Sequence, residues 1–408
     1  MDVYLFDVDA VLLHPGGYRA ALHATLRHFA QQLGLSAPLL TAEQVEVFEA
    51  HSIISEWDIS AICMAAVVLE ALLAAPALAV PATLPAALAA LRKHGALQPD
   101  ISPALLARST AAALRPGEYA AQAAARVLAS NVRVAADARS PELCALLDHI
   151  LQHTRDPQRS LIFRIFQNYT LGSSAYTECY GLPAEFTAPG MLAVEDQPAL
   201  DAKWAAEILA ATQTAAGRAV IYTARPSLPP TATIASAGQY SPEAELGARM
   251  VGLQALPVVG VGSMQWLAAT LGGDAAEFSK PAPLHALGAI ACALFTPATD
   301  ALRAAHQLLR THQLPPLMEA LRGRPLRVVV FEDSARSIQG TQAAGAILQA
   351  AGVPASVLGC GIAQSAAKRQ QLAAVGAQLF ADVNAALAAV HRAAERLTGL
   401  DPADAPLR

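Results

Sequence analysis

Short apolar runs rich in β-branched residues recur along the chain and predict the strands of a sheet. Five such runs are present, at residues 3–6, 219–222, 257–261, 328–331 and 355–358. Each is followed by polar or glycine residues and then by apolar positions at helical spacing. Strands that alternate with helices in this way are typical of a parallel sheet joined by crossover helices. The pattern therefore predicts an α/β fold with a parallel sheet of about five strands.

A second pattern, apolar positions at helical spacing with little strand character, fills residues 15–200. These alanine- and leucine-rich repeats predict a separate, mostly helical domain, inserted into a sheet domain that comprises residues 1–14 and 201–396. Residues 397–408 are too polar and proline-rich to pack, and we expect a flexible tail there. The aromatic-rich segment 163–186 has two interpretations, packing against a neighbouring helix or lining a pocket.

Composition and charge narrow the range of partners. Hydrophobic residues make up 54% of the chain, much of it alanine, and charged residues only 15%, against about 25% in typical proteins. The net charge of -5 is spread without a long run of one sign. Because nucleic-acid and anionic-membrane surfaces need concentrated positive charge, we expect neither partner. A small, soluble ligand fits better.

The cysteines and the apolar segments predict a cytoplasmic protein. The five cysteines are far apart and form no CxxC pair, which favours a reducing compartment. The first apolar run contains Asp7 and Asp9 and follows no basic leader, so we expect no signal peptide. The longest apolar region, residues 59–91, is interrupted by Glu70 and three prolines. It predicts buried helices, not a membrane span.

Two aspartates, Asp7 and Asp9, end the first predicted strand in the sequence YLFDVDAVLL. Residues two apart on a strand project to the same side, and the carboxyl ends of parallel strands are where α/β proteins bind ligands. Two adjacent carboxylates repel each other unless a cation or a shared proton relieves them. Mg²⁺, which prefers oxygen ligands, would do so. A solvated turn explains an isolated pair of this kind equally well.

Three further strand ends carry polar groups that suit phosphate chemistry. Thr223 in VIYTARP is a hydroxyl donor or a helix N-cap. Lys280 in EFSKPAP is a point charge for phosphate or an ordinary surface residue. Glu332 and Asp333 in VVVFEDSARS are a second acidic pair or a solvated helix start. Each simpler alternative is reasonable by itself, but their occurrence together in this order is not explained by chance.

The four segments FDVDAVL, IYTARP, SKPAP and VFEDS resemble the successive motifs of the haloacid dehalogenase (HAD) superfamily of phosphohydrolases. The resemblance covers the predicted sheet domain and implies a doubly wound, Rossmann-like sheet. An insertion between the first and second motifs is similar to the C1-type cap of that family, a mobile domain that selects the substrate. Ala10 stands where the family usually has Gly or Thr.

The resemblance also implies a mechanism. Asp7 would attack a phosphate ester and form an aspartyl-phosphate, while Asp9 would act as general acid and then general base. Thr223 and Lys280 would stabilise the oxygens of the transferred phosphoryl group. The presence of the second aspartate favours phosphate chemistry over carbon–halogen cleavage.

The metal expected from the resemblance is Mg²⁺. The Asp7 carboxylate, the Asp9 backbone carbonyl and Asp333 would hold it, with Glu332 in a direct or water-mediated supporting role.

Candidate substrate-binding residues follow the first and second motifs. His14, Tyr18 and Arg19 come directly after the first strand, beside a glycine pair suited to a hinge or to close approach of a ligand. These three residues either contact the substrate or pack at the hinge. Arg225 faces the crevice in one interpretation and forms a salt bridge with a neighbouring acid in the other.

Three functional hypotheses follow. The first is a Mg²⁺-dependent phosphatase of a small phosphorylated metabolite, as a monomer or homodimer. The second is a phosphomutase of the β-phosphoglucomutase type, which shares the Glu-Asp fourth motif. The third is a non-catalytic binding or regulatory protein that keeps the fold. A phosphonatase is disfavoured because it needs a Schiff-base lysine in the cap, where the sequence offers Lys93 alone, with Lys203 just beyond the boundary.

Overall fold

The computed structural model describes residues 1–36, 38–95, 101–115, 117–135, 137–214, 217–231 and 240–398. The chain divides into two compact units, one formed by Met1–Pro15 with Asp196–Arg408 and the other by Gly16–Glu195. The sequence placed the inserted domain at residues 15–200. The last helix extends to Thr398 and so includes the first two residues of the predicted tail; residues 399–408 lie outside the described part of the chain.

The first unit is built on a six-stranded parallel sheet. Its order is β5-β4-β1-β6-β7-β8, and β2 and β3 form a separate antiparallel pair. The strands are β1 (Asp2–Phe6), β2 (Leu13–His14), β3 (Gln197–Pro198), β4 (Gly217–Tyr222), β5 (Val258–Val259), β6 (Leu326–Glu332), β7 (Ala355–Ile362) and β8 (Gln378–Phe380). In chain order, β4 and β5 extend the sheet on one side of β1, and β6, β7 and β8 then extend it on the other side. The predicted α/β class and parallel sheet are confirmed, with β8 as a sixth strand.

Both faces of this sheet are buried, as the near-continuous apolar strands require. Val3 and Leu5 pack into a core on one face, and Phe6 packs into a second core on the opposite face. Along β4, Val220 and Ile221 divide between the two cores in the same alternating way. The sequence missed β8 because its three residues are only partly buried or exposed and contain no β-branched side chain.

The second unit is helical in its described residues. Its helices are α1 (Gly17–Leu33), α2 (Ala42–Ala50), α3 (Glu56–Leu73), α4 (Leu84–His94), α5 (Pro103–Ala113), α6 (Ala120–Ala135), α7 (Ser140–Leu151), α8 (Leu161–Leu171), α9 (Ser173–Tyr180) and α10 (Met191–Glu195). α3 is buried along most of its length and packs against α1, α6, α7 and α8. Among the described residues, no helix combines the length and the apolar character that crossing a membrane would require.

Side-chain caps and close backbone approaches fix the ends of these helices. Thr41 and Gln44 form a reciprocal capping box at the start of α2. A Cβ atom on Gly17 would lie 2.6 Å from the Leu192 Cα, and one on Gly16 would lie 2.7 Å from the Glu195 carbonyl oxygen. The glycine pair that the sequence assigned to a hinge or a ligand therefore allows α1 to begin against α10.

The first unit also contains the helices that cover its sheet. They are α11 (Ala202–Gln213), α12 (Glu243–Met250), α13 (Val261–Leu271), α14 (Ala275–Phe278), α15 (Pro283–Leu294), α16 (Ala298–Thr311), α17 (Ala335–Ala350), α18 (Ala366–Ala374) and α19 (Val383–Thr398). α15 packs on β4, β5 and β1, and α16 packs on α15. These two helices precede β6 in the chain and form two successive layers on this face of the sheet.

Candidate active site

The ends of β1, β4 and β6 meet at the carboxyl edge of the sheet. Phe6 of β1 pairs with Ile221 of β4 on one side and with Phe331 of β6 on the other. Asp7 therefore follows β1 between the ends of its two neighbours, and its backbone N–H donates to the Phe331 carbonyl at 3.1 Å. The strand order reverses at β1, and such a reversal opens a crevice at the carboxyl edge of an α/β sheet.

A buried lysine links two of the acids at this edge. The Lys280 ammonium lies 3.2 Å from Asp7 Oδ1 and donates a short hydrogen bond to Glu332 Oε1. Its Nζ also lies 3.9 Å from the centroid of the Tyr222 ring, in cation–π contact. Burial alone would lower the pKa of Lys280, but the charges of Asp7 and Glu332 raise it by more, so its pKa lies above the ordinary value. Lys280 is therefore a fixed cation beside Asp7.

His285 fixes the loop that carries Lys280. The Lys280 backbone N–H donates to His285 Nδ1 at 2.9 Å, so the ring proton is on Nε2, which donates to the Val259 carbonyl at 3.0 Å. The ring also contacts Tyr222 edge to face, with centroids 5.0 Å apart. Burial, then the Lys280 charge, lowers the pKa of His285 to about 3. His285 is thus a neutral support that joins the loop to the end of β5.

Helix α17 packs closely against the loop that carries Lys280. A Cβ atom on Gly340 would lie 2.2 Å from the Pro281 carbonyl oxygen, so this helix position requires glycine. The helix after the fourth motif therefore packs directly on the residue that follows Lys280.

Three carboxylates could hold a metal ion. One ligand oxygen from each of Asp7, Glu332 and Asp333 lies within 4.8 Å of the others. Hard cations such as Mg²⁺ take oxygen ligands of this kind, so the donor set fits the predicted metal. Asp7 and Asp333 fit it best, because Glu332 uses Oε1 for Lys280 and accepts the Ser334 N–H with Oε2 at 3.2 Å.

Asp333 has a further partner. The Lys368 ammonium, on α18, donates a short hydrogen bond to Asp333 Oδ2. A cation bound by Asp333 would compete with this ammonium for the same carboxylate.

Thr223 is buried at the end of β4. Its backbone N–H donates to the Val259 carbonyl at 3.2 Å, and its Oγ1 accepts the Arg225 backbone N–H at 3.2 Å. Accepting that bond uses a lone pair and leaves the hydroxyl hydrogen as a donor. The hydroxyl hydrogen is therefore available as a donor, and its contact with a phosphoryl oxygen stays a prediction.

Asp9 does not join the carboxylate cluster but pairs with Arg225. Arg225 Nε donates to Asp9 Oδ2 at 3.0 Å, and Nη2 donates to Asp9 Oδ1 at 2.6 Å. Only 1% of the Arg225 side chain is exposed. Of the two interpretations of Arg225, the structure shows the salt bridge, because both of these donors are directed at a carboxylate.

The remaining predicted substrate-binding residues have other surroundings. His14 is an exposed residue of β2. Tyr18 and Arg19 belong to the helical unit, where Tyr18 packs on its core and Arg19 holds both carboxylate oxygens of Glu49, at 2.7 and 2.9 Å. Their contact with a substrate stays a prediction. The segment 163–186 covers most of α8, all of α9 and the six residues that follow α9, and its aromatic Phe166 is fully buried, as packing requires.

Sequence reasoning missed four residues that shape the site: Tyr222, His285, Lys368 and Asp196, whose buried carboxylate accepts from Arg225 Nη2 at 2.8 Å. Tyr222 lies within the segment IYTARP and His285 comes shortly after SKPAP. An aromatic ring in or beside a motif was therefore the signal that could have found them. Lys368 and Asp196 come from distant segments with no motif around them.

Comparisons with known proteins bear on the fold alone. No protein-family model matches the chain, and no curated protein matches it. An X-ray structure from the Northeast Structural Genomics Consortium is similar, with a TM-score of 0.59 and 15% sequence identity, over 93% of this chain and 95% of that one. A likeness at this identity supports the shared α/β architecture and does not extend to the reaction.

Proposed function

We propose that the chain is a Mg²⁺-dependent phosphohydrolase of the HAD type, acting on a small phosphorylated metabolite through an aspartyl-phosphate. The observation that carries the proposal is the placement of Asp7 beside a buried lysine and two further acids at the carboxyl edge of the sheet. A nucleophilic carboxylate needs a nearby cation to approach an anionic phosphate, and Lys280 supplies a fixed one.

The proposed chemistry begins at Asp7. Its Oδ1 is held by the Val8 backbone N–H at 2.8 Å and by Lys280 at 3.2 Å. These contacts anchor Oδ1, and we assign the attack to Oδ2. The new bond to phosphorus forms as the bond from phosphorus to the alcohol oxygen breaks, and Asp9 gives its proton to that oxygen. Water then attacks phosphorus, Asp9 takes a proton from it, and phosphate leaves with Asp7 restored.

The neighbouring residues would stabilise the transferred group. Lys280 and the Thr223 hydroxyl are donors for its oxygens, where positioning and charge do most of the catalytic work. A divalent cation on Asp7 and Asp333 would offset the repulsion between the Asp7 carboxylate and the incoming phosphate. The role of the helical insertion as a substrate-selecting cap is part of this proposal, and it rests on its position between the first and second motifs.

A panel of phosphate esters tests the proposal. Sugar phosphates, nucleotides and p-nitrophenyl phosphate are assayed for phosphate release with Mg²⁺ and with EDTA, using wild type and Asp7→Asn. We expect Mg²⁺-dependent release by wild type and none by Asp7→Asn. Asp300→Asn, at an exposed position on α16, is the matched control and should match wild type. Equal inactivity of wild type and Asp7→Asn on every ester would refute the proposal.

A further inference from the structure

Arg225 holds the carboxylate of Asp9 with two parallel hydrogen bonds. Nε and Nη2 reach the two different oxygens of Asp9, at 3.0 and 2.6 Å. The donors of a guanidinium lie in one plane with fixed spacing, so a bidentate pair sets both the position and the rotation of the carboxylate. A lysine would keep the charge but lose this control of orientation.

The guanidinium is itself held by a second acid. Nη2 also donates to Asp196 Oδ2 at 2.8 Å, and the Asp196 side chain is completely buried. Asp196 comes directly before β3, which pairs with β2, and β2 closes the loop that begins at Asp9. Arg225 therefore joins the loops after β1 and β4 to the two-stranded ribbon, all within the first unit.

This arrangement leaves the Asp9 carboxylate accessible from the crevice side while its partners are buried. Its side chain is 37% exposed, whereas those of Arg225 and Asp196 are 1% and 0% exposed. Each carboxylate oxygen has two lone pairs, and the bond to Arg225 uses one of them. The other lone pair on each oxygen can still accept a hydrogen bond from a bound substrate.

We infer that Arg225 is the positioning residue for Asp9, and that Asp196 keeps Arg225 in place. The inference rests on the proposed function, in which Asp9 transfers the proton to the leaving alcohol. General acids contribute about 10²–10⁴-fold when they are well oriented, and an error of about 1 Å in placement can cost about a hundredfold. Arg225 acts on the reaction through Asp9 and not through the substrate.

Leaving-group dependence tests this role. An alkoxide must be protonated as it leaves, whereas p-nitrophenolate leaves readily without a proton. For Arg225→Lys, we expect kcat on the best alkyl phosphate of the panel to fall about a hundredfold with KM within about twofold. On p-nitrophenyl phosphate kcat should fall less than about threefold. Asp196→Asn should lower kcat on each substrate in the same direction as Arg225→Lys, but by a smaller factor.

A double-mutant cycle provides the second readout. If Arg225 acts through Asp9, adding Arg225→Lys to Asp9→Asn should cause no further loss on the alkyl phosphate. Circular dichroism and thermal melts check that each variant is folded, and Arg225→Lys is used because it retains the buried positive charge.

Several results would overturn the inference. An equal loss on both substrates, a main effect on KM, additive losses in the cycle, or full activity of Arg225→Lys on the alkyl phosphate would each exclude the positioning role. A wild type that hydrolyses only the aryl ester would exclude a working general acid at Asp9. A wild type inactive on every ester refutes the proposed function first and this role with it, so the two failures are distinguishable.

Discussion

The neutral histidine behind the lysine loop predicts a specific pH dependence of stability. His285 is fully buried between the Lys280 backbone N–H and the Val259 carbonyl, and its pKa is lowered from 6.5 to about 3. In the unfolded chain the ring takes up a proton near pH 6.5, whereas in the folded chain it stays neutral to about pH 3. Because the unfolded state binds more protons in this interval, the free energy of unfolding must fall as the pH falls below 6.5.

The expected size follows from the same shift. Protonation of the ring stabilises the unfolded state by about 1.36 kcal/mol for each pH unit below 6.5, and the interval down to about pH 5 spans about 1.5 units. His285 alone should therefore lower the free energy of unfolding by about 2 kcal/mol over that interval. Above pH 6.5 the ring is neutral in both states, and its contribution is constant.

Urea unfolding of wild type and His285→Gln at about pH 7.5 and about pH 5, at constant ionic strength, measures this contribution. His285→Gln should be less stable at the higher pH because it loses two buried hydrogen bonds. From the higher to the lower pH, its free energy of unfolding should decrease by about 2 kcal/mol less than that of wild type. His94→Gln, at an exposed position on α4, is the control and should parallel wild type. If the free energy of unfolding decreased equally in wild type and His285→Gln, the reasoning would be refuted.

Four further substitutions test other parts of the site. Lys280→Ala should lower phosphatase kcat about a hundredfold or more, because two acids lose their shared cation; a loss below tenfold in steady-state assays would contradict this. Gly340→Ala should cost about 2 kcal/mol in urea unfolding, since the new methyl group meets a backbone carbonyl, and an unchanged midpoint would refute it. Ala10→Gly should stabilise the protein by up to about 1 kcal/mol, because Ala10 has a φ of 58°, where glycine is not strained; destabilisation would contradict that. Lys368→Ala should tighten Mg²⁺ binding, measured by titration calorimetry, because it frees the Asp333 carboxylate; weaker binding would show that the ammonium does not compete.

Much of the sheet could be predicted from the sequence, because its signals are local. A central parallel strand must be apolar on both faces, and β1, β4 and β6 each show this as a run of β-branched or aromatic residues. The acids and hydroxyl at their ends were also predictable as a group, since the carboxyl ends of parallel strands lie at one edge. The edge strand β8 was not, because a short, partly exposed strand has no such run.

The partners of the side chains were beyond the sequence. For Arg225 the sequence left a substrate contact and a salt bridge open, and the guanidinium turns toward two acids that the sequence did not single out as its partners, Asp9 and Asp196. That choice depends on where β2 and β3 pair, and so on residues far apart in the chain.

Local sequence patterns were enough to predict the central strands and the chemical groups that end them, because burial and alternation act over a few residues. The packing of the folded chain decides which of the acids Lys280 contacts, that His285 supports its loop, and that Arg225 holds Asp9. These contacts come from the packing of separate segments, where the cost of burying a charge without a partner selects one arrangement.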